Sequence, residues 1–167
     1  MKIKKIYFDM DGVLADFDRG VKELCGIEPL DQAKKTPADD DRMWEAIKNV
    51  GHFYDRLEPM PGALEMFKVL REKYDVEILT GIPKAKRGIV TAGDDKIAWA
   101  HRLLAEDLVV NIVYREEKKN YATGPDYILI DDLKKNIDEW VVAGGSGILF
   151  TSAEKVLDEI QRLEEEN

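Results

Sequence analysis

Four short apolar runs, Ile6 to Phe8, Val76 to Leu79, Val109 to Val113 and Tyr127 to Ile130, alternate with stretches of helical periodicity, and that order restricts the chain to α/β architectures. Polar residues follow every run. Asp9-Met10-Asp11-Gly12 comes after the first, Thr80-Gly81 after the second and Asp131-Asp132 after the fourth, while Lys118 and Lys119 lie downstream of the third. In open sheets of this class, chemistry sits where the strands end. Alternation along the first strand sends Asp9 and Asp11 to one side, and Gly12 lets the backbone turn tightly against a ligand. Taken singly, Asp-x-Asp-Gly has an ordinary reading as a solvated turn and Thr80-Gly81 as a strand-ending turn. Their company carries the functional reading.

Between the first two strands, Leu14, Phe17, Val21 and Leu24 recur at helical spacing. A polar stretch from Glu28 to Asp41 follows, with Pro29 and Pro37 as breakers, and Met43, Trp44, Ile47 and Val50 then mark a second helix. Residues 15–60 therefore read as a small helical cap inserted after the first strand, with residues 1–14 and 61–167 as the core domain. Pro61-Gly62 opens a helix with Ala63, Met66, Phe67, Leu70 and Tyr74 inward. A loop bearing Lys84, Lys86 and Arg87 leads to a helix beginning near Asp94, with Ile97, Ala100 and Leu104 inward. Leu133 to Val142 forms another helix, Gly147 to Phe150 a last strand, and Ser152 caps a final helix whose closing residues, Glu164 to Asn167, are expected to fray. The alternation predicts a doubly wound, mostly parallel Rossmann-like sheet with right-handed crossovers.

A chain of 167 residues with 44% hydrophobic content supports one core with a modest insertion. Its formal charge of −9 argues against a nucleic-acid polymer or an anionic membrane surface as partner, because both reward a basic face. A small anionic substrate would need local help from a divalent cation and from the lysines already named. Cys25, the only cysteine, excludes an intrachain disulfide and a cysteine cluster for zinc, and reads as core filler. No run reaches the ~20 apolar residues of a membrane span, and Asp9 and Asp11 interrupt the first apolar stretch too early for a secretory leader. A cytoplasmic location is the expectation. A homodimer is allowed, since nothing in the sequence fixes the oligomeric state.

Phe17, Trp44, Phe53 and Tyr54 all lie on the insertion, where aromatic faces either stack on a base or pack the cap. His52 and His101 lack partners at metal-ligand spacing, so the first reads as a cap residue and the second as a partly buried helix residue.

Asp-Met-Asp-Gly-Val, Thr80, a later lysine and the Asp131-Asp132 pair resemble, in that order, the four motifs of the haloacid dehalogenase (HAD) superfamily of phosphohydrolases. Asp9 to Asp18, Leu57 to Leu64, Lys96-Ile-Ala-Trp99 and Ile128 to Asp132 are similar to its 5'(3')-deoxyribonucleotidase branch. The resemblance implies Mg²⁺-dependent hydrolysis of a small phosphomonoester, with a (deoxy)nucleoside monophosphate as the expected substrate. Asp9 would be the nucleophile, forming an aspartyl phosphate. Asp11 would give a proton to the departing alcohol and later take one from water. Mg²⁺ would be held by Asp9, the Asp11 main-chain carbonyl and one or both of Asp131 and Asp132. Phosphate oxygens would meet the Thr80 hydroxyl, the Gly81 N–H, Lys96, and either Lys118 or Lys119, of which Lys118 is preferred. Phe17 and Trp44 would lie against the substrate. Members of the branch often carry Arg after the acidic pair, where this chain has Leu133. Two other readings fit the same residues: a phosphatase for another phosphomonoester such as a sugar phosphate, and a receiver-like phosphoacceptor signalling module. In the module, however, the acidic pair normally comes first.

Overall fold

The structure is a computed structural model and describes residues 1–31 and 33–166. Five strands, β1 (Lys5–Phe8), β2 (Val76–Gly81), β3 (Val110–Val113), β4 (Tyr127–Asp131) and β5 (Ser146–Leu149), form one sheet. Their order is β3-β2-β1-β4-β5 and every pairing is parallel. Helices α1 (Phe17–Cys25) and α2 (Pro37–Asn49) lie between β1 and β2, followed by α3 (Ala63–Lys73). The remaining helices are α4 (Ala92–Leu103), α5 (Lys134–Val142) and α6 (Ala153–Glu165). The fold is a doubly wound α/β fold, as the strand and helix alternation predicts.

Parallel strands covered on both faces are chiefly apolar, and the central strands β1, β2 and β4 are so at most positions, with the polar residues Lys5, Glu77, Thr80 and Asp131 placed mainly toward their ends. Ile6, Phe8, Ile78, Ile128 and Ile130 face the larger core, where Met66, Phe67, Trp99 and Val156 meet them. Tyr7, Leu79 and Leu129 point the other way, into a smaller cluster closed by Ile137 and Trp140. The chain runs outward from β1 to β2 and β3, then returns to place β4 on the opposite flank of β1. The crevice at such a reversal is where doubly wound sheets bind ligands.

The chain near Ala15 and the chain near Pro59 run side by side, and Val21, Met43, Ile47, Phe53 and Tyr54 between them pack into the larger core. Asp16 N donates to Glu58 O at 2.7 Å, Met60 N donates to Leu14 O at 2.8 Å, and Ala15 pairs with Pro59 as an antiparallel bridge. On the core side, helix α4 holds the returning segment through Trp99 Nε1, which donates to Leu57 O at 2.8 Å, and through the ion pair between Arg102 and Asp55.

Several sequence expectations are corrected. Pro37 does not break a helix. It occupies the first turn of α2, where it has no N–H to lose, and Thr36 and Asp39 close a reciprocal capping box around it. The stretch from Glu28 to Asp41 is thus partly helical; its Gln32 lies outside the described residues. The inward face of α4 is Ala92, Asp95, Lys96, Trp99 and Ala100, while Ile97 and Leu104 are only half-buried, because Lys96 turns toward β2 and Asp95 toward His52. Glu164 does not fray: α6 continues to Glu165, and Glu164 meets Tyr74 and Lys73. Asn167 lies outside the described residues.

Candidate active site

Asp9 follows the last residue of β1, and its backbone N–H still donates to Ile130 O at 2.9 Å, which keeps it on the ladder beside β4. Asp131 ends β4 itself, so the two carboxylates leave neighbouring strands at one edge. After Asp9 the chain reverses over buried Met10, Val13 and Leu14, with Met10 O accepting the N–H groups of Leu14 at 2.9 Å and Ala15 at 2.8 Å. Gly12 makes the reversal possible at φ 79°, and a Cβ there would overlap the Asp132 carboxylate. One glycine thereby admits both the turn and the second acidic stretch.

Asp9, Asp131 and Asp132 each offer an oxygen within 4.8 Å of the others. Lys118, 4% exposed on the 3₁₀ turn Arg115–Tyr121, donates to Asp9 Oδ1 at 2.9 Å and Asp131 Oδ2 at 2.8 Å. Asp131 also accepts the Leu133 N–H on Oδ1 at 2.9 Å and Asn136 Nδ2 on Oδ2 at 3.0 Å. Arg115 secures Asn136 in turn, donating to its Oδ1 at 2.8 Å and to Glu139 Oε2 at 2.7 Å.

These groups set their own protonation. Burial, then the charge of Asp131, holds the Asp9 carboxyl well above its ordinary value despite the opposing pull of Lys118. Asp132 opens to solvent, yet desolvation on its protein side and the Asp131 charge lift it to about 6. Burial opposes the Lys118 ammonium, but the attraction of Asp9 and Asp131 outweighs it and the pKa is raised, so the lysine stays charged. Four carboxyl groups, those of Asp9, Asp11, Asp131 and Asp132, then crowd around two ammonium groups, Lys96 and Lys118. Two like charges 4 Å apart repel by about 4 kcal/mol at an effective dielectric constant of 20, so the excess calls for a counter-charge. The all-oxygen cluster fits a hard divalent cation.

Beside the cluster, Lys96 Nζ meets Asp11 Oδ2, Thr80 Oγ1 and Gly81 O. The neighbouring Asp95 is 6% exposed and pairs with His52 Nδ1 at 2.8 Å. That hydrogen bond, with the charges of Asp95 and Asp55, raises the His52 pKa above 6.5. Stabilisation by the charged pair is therefore complete below pH 6.5 and is lost as pH rises through the folded-state value. In an NMR titration the His52 midpoint is expected above 6.5, and Asp95→Asn is expected to return it toward 6.5.

Above the acidic floor lies a cleft of about 730 Å³, walled by Phe17, Trp44 and Tyr54 on the insertion side and by Lys84, Arg87 and Arg115 on the core side. Its size suits a small organic ligand. Phe17 stacks on Tyr54 with centroids 6.3 Å apart and lies 6.1 Å from Trp44, both half-buried rings facing the cleft.

The structure brings together Asp9, Asp11, Thr80, Gly81, Lys96, Lys118, Asp131 and Asp132, with Phe17 and Trp44 on the rim. Lys119 is the exception. It is exposed on the same 3₁₀ turn, one residue beyond the buried Lys118, and adjacent positions of a turn point in different directions. A Cβ at Gly81 would lie 3.4 Å from Arg115 N, an ordinary contact, so no steric need for glycine arises there. Asn136 and Arg115 join the site without a motif that announces them in the sequence. The spacing of Asn136, Ile137 and Trp140 is the signal that turns Asn136 inward, but its short amide reads as surface unless the acidic pair beside it is considered.

A parallel sheet reversing beside β1, with paired acidic strand ends under a helical insertion, defines the HAD class of phosphohydrolases. Solved structures of this fold include a haloacid dehalogenase-like hydrolase from Xanthomonas campestris, at TM-score 0.63 and 12% identity over 96% of this chain and 91% of that one. Another comes from Streptococcus pneumoniae, at TM-score 0.60 and 16% identity over 95% and 98%. A HAD hydrolase from Bacillus subtilis bound to magnesium aligns at TM-score 0.57 and 15% identity, over 88% and 86%. The family model described as "5' nucleotidase, deoxy (Pyrimidine), cytosolic type C protein" matches residues 2–165, and the chain belongs to that family. It is a phosphoric monoester hydrolase. A Staphylococcus aureus protein named as a provisional 5'(3')-deoxyribonucleotidase is 30% identical over 174 residues, covering 95% of this chain and 88% of the relative. A protein of Vibrio phage KVP40 with the same name is 28% identical over 138 residues, covering 78% and 67%. Among the described residues, no helix is long and apolar enough to cross a membrane.

Proposed function

We propose that the protein is a Mg²⁺-dependent 5'(3')-deoxyribonucleotidase that works through an aspartyl phosphate on Asp9, with residues 15–60 as a cap over the reacting groups. The observation that carries this reading is the meeting of Asp9, Lys118 and the Asp131-Asp132 pair at one sheet edge. The names of the relatives support a nucleoside monophosphate as substrate, and the magnesium of the Bacillus subtilis structure supports the choice of ion.

An Asp9 carboxylate oxygen attacks phosphorus, the ester P–O bond breaks, and the departing nucleoside oxygen takes the proton held by Asp11. Water then attacks phosphorus, Asp11 takes its proton, and the Asp9–phosphate bond breaks. The Lys118 ammonium and the Thr80 hydroxyl serve the transferring oxygens. Mg²⁺ would be held by Asp9, the Asp11 main-chain carbonyl and one or both of Asp131 and Asp132, where it would supply charge neutralisation for the phosphate. Asp131 already accepts three donors and Asp132 faces the solvent side, so Asp132 is the better direct ligand and Asp131 orients Lys118. Phe17 and Trp44 offer the base apolar faces.

Phosphate release from dUMP, dTMP and ribose 5-phosphate, with Mg²⁺ and with EDTA, tests the reading. Turnover of the deoxynucleotides, abolished by EDTA and restored by Mg²⁺, is expected. Preference for ribose 5-phosphate would replace the nucleotidase assignment by a sugar-phosphate phosphatase, and a stable phospho-Asp9 without release would favour a phosphoacceptor module. Asp11→Asn is expected to lower kcat by about 10²–10⁴-fold while KM changes only a few-fold, because proton transfer is lost and binding is kept.

A further inference from the structure

The sequence marks Lys96 as a second phosphate contact, yet its ammonium is fully committed within the protein. Nζ donates to Asp11 Oδ2 at 2.9 Å, to Thr80 Oγ1 at 2.9 Å and to Gly81 O at 2.7 Å, which accounts for all three N–H bonds. The side chain is wholly buried, with the Tyr54 ring 4.5 Å away. A phosphate oxygen would have to displace one of these acceptors. Lys118 differs: two carboxylates engage it, and one N–H remains among the described residues.

The acceptors of Lys96 are themselves site groups. With Oδ2 of Asp11 anchored, Oδ1 is left as a buried atom without a hydrogen-bond partner among the described residues. An unpaired buried carboxylate oxygen is costly unless chemistry uses it. Thr80 Oγ1 accepts from Lys96, so its own hydrogen must point elsewhere. Tyr54 belongs to the returning segment of the insertion and screens the ammonium from water, which keeps these bonds strong.

Resting on the phosphohydrolase reading above, we propose that Lys96 is a positioning residue: it holds Asp11 by Oδ2 so that Oδ1 exchanges the proton, and it aims the Thr80 hydroxyl at phosphate. Lys96 acts through these two neighbours and does not touch the substrate. The charge that meets the phosphate is that of Lys118.

A double-mutant cycle with Asp11→Asn, read alongside inhibition by inorganic phosphate, tests this. Lys96→Met is expected to lower kcat about 10²-fold while KM and the phosphate inhibition constant stay within about threefold of the wild type. In the Asp11→Asn background the same change is expected to cost less than about threefold more, because residues that act as a unit are not additive. Lys96→Arg keeps the charge but cannot match three close acceptors, so its kcat is expected to fall with phosphate inhibition unchanged, and it serves as the test should Lys96→Met not fold. A rise of tenfold or more in the phosphate inhibition constant, or a loss repeated in full in the Asp11→Asn background, overturns the proposal. A wild-type protein that hydrolyses no phosphomonoester overturns the functional reading instead.

Discussion

Asp9→Asn is expected to reduce phosphate release by at least roughly 10⁴-fold, the scale of loss when a covalent nucleophile is removed, while the folded protein gains stability in the absence of metal. Both effects come from one carboxylate. Asp9 is 7% exposed, and its carboxyl is held well above its ordinary value by burial and by the charge of Asp131. An acid raised in this way binds its proton more tightly folded than unfolded, so stability falls as pH climbs from the unfolded value toward the folded one. The amide carries no charge and escapes that loss. In EDTA the Asn variant is expected to melt above the wild type at pH 8, with the gap narrowing toward pH 4 as the wild-type carboxyl regains its proton. Thermal melts at both pH values, set beside phosphate release, check the pair of effects. A variant that retains more than one percent of turnover removes Asp9 from the nucleophile's place, and one that melts below the wild type at pH 8 contradicts the strain assigned to it. The coupling of lost activity to gained stability is the usual mark of a site built for function.

Much of this site is legible in the chain because its positions are fixed by backbone pattern. Buried parallel strands need unbroken apolar runs, so Ile6 to Phe8 and Ile128 to Ile130 announce themselves, and the residue that ends each run must sit at the sheet edge. Asp9 and Asp131 follow from that alone. What the pattern hides are polar side chains that serve the interior. Asp95 and Lys96 occupy the buried face of α4, where hydrophobic periodicity looks for Ile97 and Leu104, because their partners, His52 and Asp11, arrive from distant parts of the chain. Pro37 misleads for a local reason: its meaning depends on Thr36 and Asp39 around it, and a capped first turn and a broken helix share the same proline. Lys118 and Lys119 are indistinguishable by composition. Only the path of the 3₁₀ turn sends one beneath the carboxylates and the other into solvent.

Lys118→Met is expected to destabilise the metal-free protein by about 3–5 kcal/mol, the cost of breaking a buried ion pair by removing one partner. The ammonium bridges Asp9 and Asp131 at 2.9 and 2.8 Å, and all three side chains are at most 10% exposed, so little solvent is at hand to replace it. The neighbouring carboxylates determine how the loss varies with pH. A protonated Asp9 relieves much of the repulsion, so destabilisation is expected to be larger at pH 8 than at pH 5 and to be partly offset by a saturating divalent cation, which supplies positive charge to the same oxygens. Turnover is expected to fall by roughly 10²–10³-fold even when Mg²⁺ restores the fold, since removing a single preorganised donor to a developing anion costs that much. Lys119→Met is the matched control. Its side chain is exposed and one residue away, and a surface change of this kind stays within about 0.5 kcal/mol. Urea titrations of both variants at pH 5 and pH 8, with and without Mg²⁺, separate the two lysines. Equal losses from the pair, or a Lys118 loss that does not vary with pH, would mean that the ammonium does not balance the acidic cluster.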